Sequence, residues 1–244
     1  MKLIMLPYAG GSSHCYRDLT FHLADFIEPL PLELPGRGRR ISEPLLTDIN
    51  ALVDDLFQRL TPTFSSAYAF YGHSMGALLC YLLSCKAVEN GYPAPKHLFL
   101  SGHAGPESIK RDKLCHTLPK REFLQEVIQL GGTLPEVAAS QDLLDFFEPI
   151  LRADFAAIET FRPAPVRPLD VEITVMMGCE EESLRNGDLN WQKFVLGEPH
   201  LIQFDGDHFF LIKHWSAIGA LISTTLDMVW EGQTISHKST ACYG

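Results

Sequence analysis

No stretch of this 244-residue sequence stays apolar for the roughly 20 residues that a membrane-spanning helix needs. No membrane partner is expected. Positive charge is scarce as well: 20 Lys and Arg face 30 Asp and Glu, a formal net charge of -10. A chain that grips nucleic acid through its phosphates carries a basic face, so unspecific nucleic-acid binding is not expected. An acidic partner could dock only on a local basic patch. The cysteines, at positions 15, 80, 85, 115, 179 and 242, form no C-x-x-C and no tight pairs. No two histidines stand four residues apart around a glutamate. The common zinc spacings are therefore missing, and no metal is expected. The cysteine pattern fits reduced thiols in a cytoplasmic protein. The opening Met1-Lys2-Leu3-Ile4-Met5-Leu6-Pro7 is too short for a secretory signal and is followed by no small-residue cleavage site. Internal repeats and low-complexity tracts are absent.

What is present is an ordinary globular composition, 46% hydrophobic, on a chain long enough for one sizeable core. A single domain over residues 1–244 is the expectation. Short apolar runs alternate with longer amphipathic stretches, the pattern of an α/β protein with a mostly parallel sheet flanked by helices. Strands are expected at Leu3 to Leu6, Ile27 to Leu34, Ala67 to Tyr71, His97 to Ser101, Val171 to Met177 and His200 to Phe204. Most are nearly continuous apolar runs, as when both faces of a strand are covered. Helices are expected at about 15–25, 47–60, 75–90 and 210–229. Thr47-Asp48-Ile49-Asn50 offers cap residues ahead of the stripe Leu52, Leu56, Leu60.

From about 104 to 165 the rhythm breaks. That stretch carries helical stripes (Phe123, Val127, Leu130; Leu143, Phe147, Leu151) and no convincing strand. Gly131-Gly132 and Pro135 punctuate it, and Pro163, Pro165 and Pro168 close it. It reads as a helical lid inserted at one end of the sheet.

Gly72-His73-Ser74-Met75-Gly76 matches G-x-S-x-G. The five-residue pattern is weak alone, but an apolar strand candidate precedes it and a helix candidate follows. Strand, sharp turn, helix is the setting of the nucleophile elbow in the α/β-hydrolase fold. The turn stands the Ser74 hydroxyl clear of the sheet at a helix start, where the Met75 N–H can face a developing oxyanion. A neutral serine needs a base, and this fold orders its triad serine, acid, histidine. His208, in Phe204-Asp205-Gly206-Asp207-His208-Phe209-Phe210, follows a strand and precedes the last helix. Its rivals are His200, at a strand start, and His214, within a helix. The acid should follow Val171 to Met177, where Glu180, Glu181 and Glu182 stand together and spacing alone does not choose. The second oxyanion donor should come from the loop after the first strand, Leu6-Pro7-Tyr8-Ala9-Gly10-Gly11-Ser12, through the N–H of Ala9 or Gly10.

Taken together these segments resemble the type II thioesterases that accompany polyketide and nonribosomal peptide synthetases, over nearly the whole chain. Leu6 to Ser12 is similar to that family's oxyanion loop. Leu34-Pro35-Gly36-Arg37-Gly38-Arg39-Arg40 resembles its P-G-R-G-x-R stretch, a far more specific match than the elbow. Leu151-Arg152-Ala153-Asp154-Phe155 resembles a lid-helix signature, and residues 204–210 its histidine loop. The resemblance implies hydrolysis of acyl thioesters from the phosphopantetheine arm of acyl or peptidyl carrier proteins, for editing or release. It implies an acyl-Ser74 intermediate, His208 as base, Ala9 and Met75 as oxyanion donors, a monomer, and no cofactor beyond the arm the substrate brings.

Two departures stand out. The family's acid is an aspartate three residues after a glycine, and here Glu181 holds that place, with Glu180 the alternative and Asp154 a remote third. The family's S-G-R-x-x-P reads Ser101-Gly102-His103-Ala104-Gly105-Pro106, without its arginine. Arg37, Arg39 and Arg40 bridge internally, lie in a solvated loop, or contact a phosphate or acidic helix of a carrier. The rival functions are a small-molecule carboxylesterase or lactonase on the same framework, and a non-catalytic hydrolase-like binding protein.

Overall fold

In the computed structural model all strand pairings among the described residues are parallel, in a sheet whose seven described strands run in the order β2-β1-β3-β4-β5-β6-β7. The structure describes residues 1–108, 114–131, 139–163 and 167–232, and the backbone of 241–243. The strands are β1 (Lys2–Leu6), β2 (Glu28–Pro31), β3 (Tyr68–His73), β4 (Leu98–Ser101), β5 (Ile173–Gly178), β6 (His200–Phe204) and β7 (Ala241–Tyr243). The helices are α1 (Arg17–Thr20), α2 (Ile49–Leu60), α3 (Met75–Glu89), α4 (Lys120–Gln129), α5 (Gln141–Thr160), α6 (Glu182–Arg185) and α7 (Trp215–Trp230).

Alternation along the strands explains their continuous apolar runs. Ile4, Leu6, Phe70 and Leu98 face one core with α2 and α3, while Leu3, Met5, Ala69 and Phe99 face the other with α7. Asp48 caps α2 by accepting the Ala51 N–H at 2.9 Å. Because the strands are parallel, their C-terminal ends share one edge. Register puts Leu6 beside Gly72, Ser101 beside Met176, and Gly178 beside Phe204. The loops that follow β1, β3, β5 and β6 therefore open on the same rim.

The expected elements are found, with shifts that have local causes. The run from Ile27 to Leu34 yields only Glu28–Pro31. Pro29 and Pro31 lack the N–H that a ladder uses, which confines this strand to the sheet edge. The helix expected near 15–25 stops after Thr20. The chain beyond it turns to dock on α7, where Ala24 N–H donates to Ser223 Oγ at 3.0 Å. A Cβ on Gly219 would lie 2.5 Å from His22 Cβ, so the contact needs a glycine. The last helix begins at Trp215, since 210–213 form a tighter 3₁₀ turn. Strand β7 was not foreseen; three residues give no period to detect.

The described regular elements between β4 and β5 are helical, a 3₁₀ turn followed by α4 and α5. They have a small core of their own, Phe123, Leu124 and Val127 against Leu144, Leu151 and Phe155. Gly131, at φ +88°, follows the end of α4. Residues 109–113, 132–138 and 164–166, with Gly132, Pro135 and Pro165 among them, lie outside the described residues.

Candidate active site

Ser74 has φ 54° and ψ -118°, and it is the one non-glycine residue with positive φ among those described. The elbow is enforced by close packing on both sides. A Cβ on Gly72 would lie 2.3 Å from the Gly76 backbone, and one on Gly76 would lie 2.1 Å from the Leu6 carbonyl oxygen. Only glycine fits either place. The Ser74 N–H donates to the Ser101 carbonyl at 2.7 Å, anchoring the turn to β4. Its hydroxyl does not cap α3, so the oxygen is left for chemistry at the positive end of a helix.

His208 and Glu181 meet from two different loops. His208 Nδ1 lies 2.8 Å from Glu181 Oε2, and Gly178 N–H donates to Glu181 Oε1 at 2.9 Å. The Glu181 side chain is 7% exposed. An ionised carboxylate only accepts, so Nδ1 carries the ring proton and Nε2 is left as the acceptor. The extra methylene of glutamate, relative to aspartate, is absorbed by folding the side chain back onto Gly178. A Cβ at Gly178 would lie 2.2 Å from the Asp207 carbonyl oxygen, so the two loops touch at backbone distance there. Glu180 and Glu182 are exposed. His200 begins β6, and His214 Nε2 is 2.9 Å from the Asp205 carbonyl, so neither is joined to Glu181.

Ser74, His208, Tyr8 and Ala9 line one chamber of about 60 Å³, roofed by Val127 of α4, by Leu130 just after it, and by Leu151 and Phe155 of α5. Met75 N–H begins α3 beside Ser74. Among the described residues nothing accepts the Ala9 or Met75 N–H, whereas the Gly10 N–H is taken by Asp154 Oδ2 at 2.7 Å. Of the two loop donors, Ala9 is thus the one left for a ligand. A second pocket of about 580 Å³ adjoins the chamber, sharing Tyr8, Ala9 and Leu151 and walled by Ile41, Phe146, Phe147 and Ile150.

His73, invisible as a site residue in the sequence, is buried under the base with its ring centroid 4.8 Å from that of His208. Its Nδ1 lies 2.9 Å from Ser101 Oγ. Burial, helped by nearby His208 and His103, holds its pKa well below the ordinary imidazole range. A neutral ring there adds no positive charge against an imidazolium at His208. Desolvation, with His208 beside it, pushes His103 down to about 4.

The arginine cluster does not form a phosphate site. Arg37 is buried and pairs through both Nη atoms with buried Asp154, at 2.5 and 2.6 Å. Arg40 is also buried and is held by Glu43 and by Asp55 at 2.7 Å. Only Arg39 is exposed. Asp154 is therefore a structural ion-pair partner rather than an acid for His208. Sequence reading missed this pair because its members stand 117 residues apart.

A family model described as a thioesterase domain matches residues 1–227. The chain is 32% identical, over 229 residues, to a protein named linear gramicidin dehydrogenase LgrE of Brevibacillus parabrevis, covering 92% of this chain and 87% of that one. Among solved structures it is similar to ClbQ of the colibactin pathway, with TM-score 0.88 and 31% identity over 95% of this chain and 98% of the other. It is also similar to the type II thioesterase BorB of the borrelidin biosynthetic cluster, with TM-score 0.84 and 31% identity over 92% of each chain.

Proposed function

The chain belongs to the thioesterase family and is a thioester hydrolase of the α/β-hydrolase fold; on that premise we propose that it removes acyl groups from the phosphopantetheine arm of carrier proteins in polyketide or nonribosomal peptide biosynthesis. The observation that carries the reading is the single chamber shared by Ser74, His208 and Ala9, with Glu181 bonded behind the histidine. Similarity to BorB and ClbQ supports the carrier-bound substrate. The dehydrogenase name of the gramicidin relative is not carried over, because a strained elbow serine backed by histidine and carboxylate is equipped for acyl transfer.

In this reading Ser74 Oγ attacks the thioester carbonyl while His208 Nε2 takes its proton. The Ala9 and Met75 N–H groups receive the oxyanion. The carbon–sulfur bond breaks, and the arm's thiolate leaves with the proton held by His208. Water then attacks the acyl-serine, giving its proton to Nε2, and Nε2 passes that proton to Ser74 Oγ as the acyl–oxygen bond breaks, releasing the acid and the free serine. Glu181 holds the tautomer and stabilises the imidazolium throughout.

Helices α4 and α5 act as the lid. The chamber of about 60 Å³ has room for only a few waters, each needing about 10–15 Å³ on this measure. A longer acyl group extends into the apolar pocket of about 580 Å³ past Leu151. No helix among the described residues is long and apolar enough to cross a membrane.

The test is intact-protein mass spectrometry of carrier proteins loaded with acyl groups of graded length, beside the matching free oxygen esters. Preferential return of the free thiol arm is expected. A large preference for oxygen esters over carrier thioesters moves the protein to the small-molecule esterase class. Failure of a fluorophosphonate to label Ser74 in the folded protein moves it to the non-catalytic class.

A further inference from the structure

The buried pair Arg37–Asp154 raises a question of energetics. Both side chains are almost wholly removed from water, 4% and 0% exposed. Stripping two ions of water costs several kcal/mol each, and well-packed apolar residues of similar volume are often no less stable. Stability alone does not account for the arrangement. What apolar residues could not supply is an acceptor for the loop after β1. Asp154 Oδ2 takes the Gly10 N–H at 2.7 Å, and Arg37 Nη1 donates to the Gly11 carbonyl at 3.3 Å.

The consequence falls on Ala9. The Gly10 N–H belongs to the peptide plane that leaves Ala9, so fixing it orients the backbone around the Ala9 donor. The Gly11 N–H closes the turn on the Tyr8 carbonyl at 2.9 Å, with Gly10 at φ +77°. One helical turn before Asp154, Leu151 presses on the same place: a Cβ on Gly10 would lie 2.4 Å from Leu151 Cδ2. The face of α5 that roofs the chamber thus also grips the loop bearing the oxyanion donor.

We propose that Asp154, held by Arg37, is a positioning residue that sets the Ala9 N–H for the oxyanion and ties its alignment to the seat of α5. This rests on the acyl-transfer reading of Ser74 and Ala9. It does not depend on which acyl compound is the natural substrate.

Two double variants separate positioning from packing. Arg37→Met with Asp154→Leu removes the ion pair and the Gly10 acceptor. Arg37→Met with Asp154→Asn removes the pair but keeps an oxygen for Gly10. Both are assayed on a p-nitrophenyl short-chain ester and on an acyl thioester, with a trifluoromethyl ketone as an oxyanion-forming inhibitor. The leucine variant is expected to lose about 10- to 100-fold in kcat at nearly constant KM, less than the about 10²–10³ for deleting a donor outright. Ketone affinity should fall in parallel, and the asparagine variant should recover several-fold in both. Equal kcat and equal ketone affinity in the two variants and the wild type overturn the proposal. If the leucine double does not fold, Arg37→Met with Asp154→Ala takes its place: kcat below that of the asparagine double at equal KM supports positioning, and equal kcat overturns it. Activity of the wild type on the ester but not the thioester would instead count against the thioesterase reading and leave this test intact.

Discussion

Replacing Glu181 with glutamine changes one atom, and the structure sets how much that should cost. Glu181 now receives two donors, Gly178 N–H at 2.9 Å and His208 Nδ1 at 2.8 Å. Glutamine has one acceptor oxygen and one donor NH₂. If its oxygen stays with Gly178, the NH₂ faces Nδ1, which must then accept. The ring proton moves to Nε2, and the base is lost. The opposite orientation keeps the productive tautomer but sets NH₂ against the Gly178 N–H in a nearly closed site. An unsatisfied buried donor costs about 1–3 kcal/mol, so the productive orientation is disfavoured about 5- to 150-fold. Loss of the charge beside the imidazolium adds to this. A wrong tautomer in a comparable triad lowers kcat by about 10⁴. The expected loss in kcat lies between about 10² and 10⁴, or about 2.7–5.4 kcal/mol of barrier at 1.36 kcal/mol per tenfold. Because volume is kept, KM and thermal stability should change little. The assay is steady-state hydrolysis of an acyl thioester at pH 7–8 beside thermal denaturation. A glutamine variant within tenfold of wild type in kcat would refute the tautomer argument. Greater damage from Glu180→Gln, at an exposed site, would mean that the wrong carboxylate has been identified.

Other outcomes can be checked as directly. Ser74→Ala should abolish turnover and fluorophosphonate labelling while shifting stability by no more than about 0.5 kcal/mol, since the hydroxyl caps nothing. Gly76→Ala drives a methyl to 2.1 Å from the Leu6 carbonyl oxygen. It should cost about 2 kcal/mol or more, about 4–8 °C in melting temperature, and lower kcat in the folded fraction because the elbow moves. Stability should fall as pH drops from about 6.5 toward 4. His73 and His103 stay neutral in the folded protein but take up protons once unfolded, at up to about 1.4 kcal/mol per pH unit for each. His103→Gln should flatten the melting-temperature profile over that range, and an unchanged slope would count against the assignment.

Much of this was legible in the sequence because the signals were local. Strand, elbow and helix run consecutively from Tyr68 to Glu89, so their pattern names both the turn and its serine. His208 was legible because it follows a strand and precedes the last helix. The carboxylate was less so, because three glutamates in a row differ only in which one folds back toward Gly178. Internal bridging was one reading of Arg37, but its partner was not legible, because Asp154 arrives on α5 from 117 residues away. His73 looked like a mere elbow residue, and its place under His208 follows only from how the β3 and β6 loops share a rim. The edge strand was over-read since apolar residues around Pro29 and Pro31 mimic a longer ladder.

The central claim is that Ser74 carries the acyl group between carrier and water. Rapid quenching of the enzyme with an acyl-loaded carrier protein, followed by peptide mass spectrometry, tests it most directly. The account predicts the acyl mass on the peptide containing Ser74, lost on a longer incubation, and an intact carrier thioester after exposure to Ser74→Ala. Undiminished hydrolysis by Ser74→Ala, or the acyl mass on another side chain such as Cys15, would contradict it.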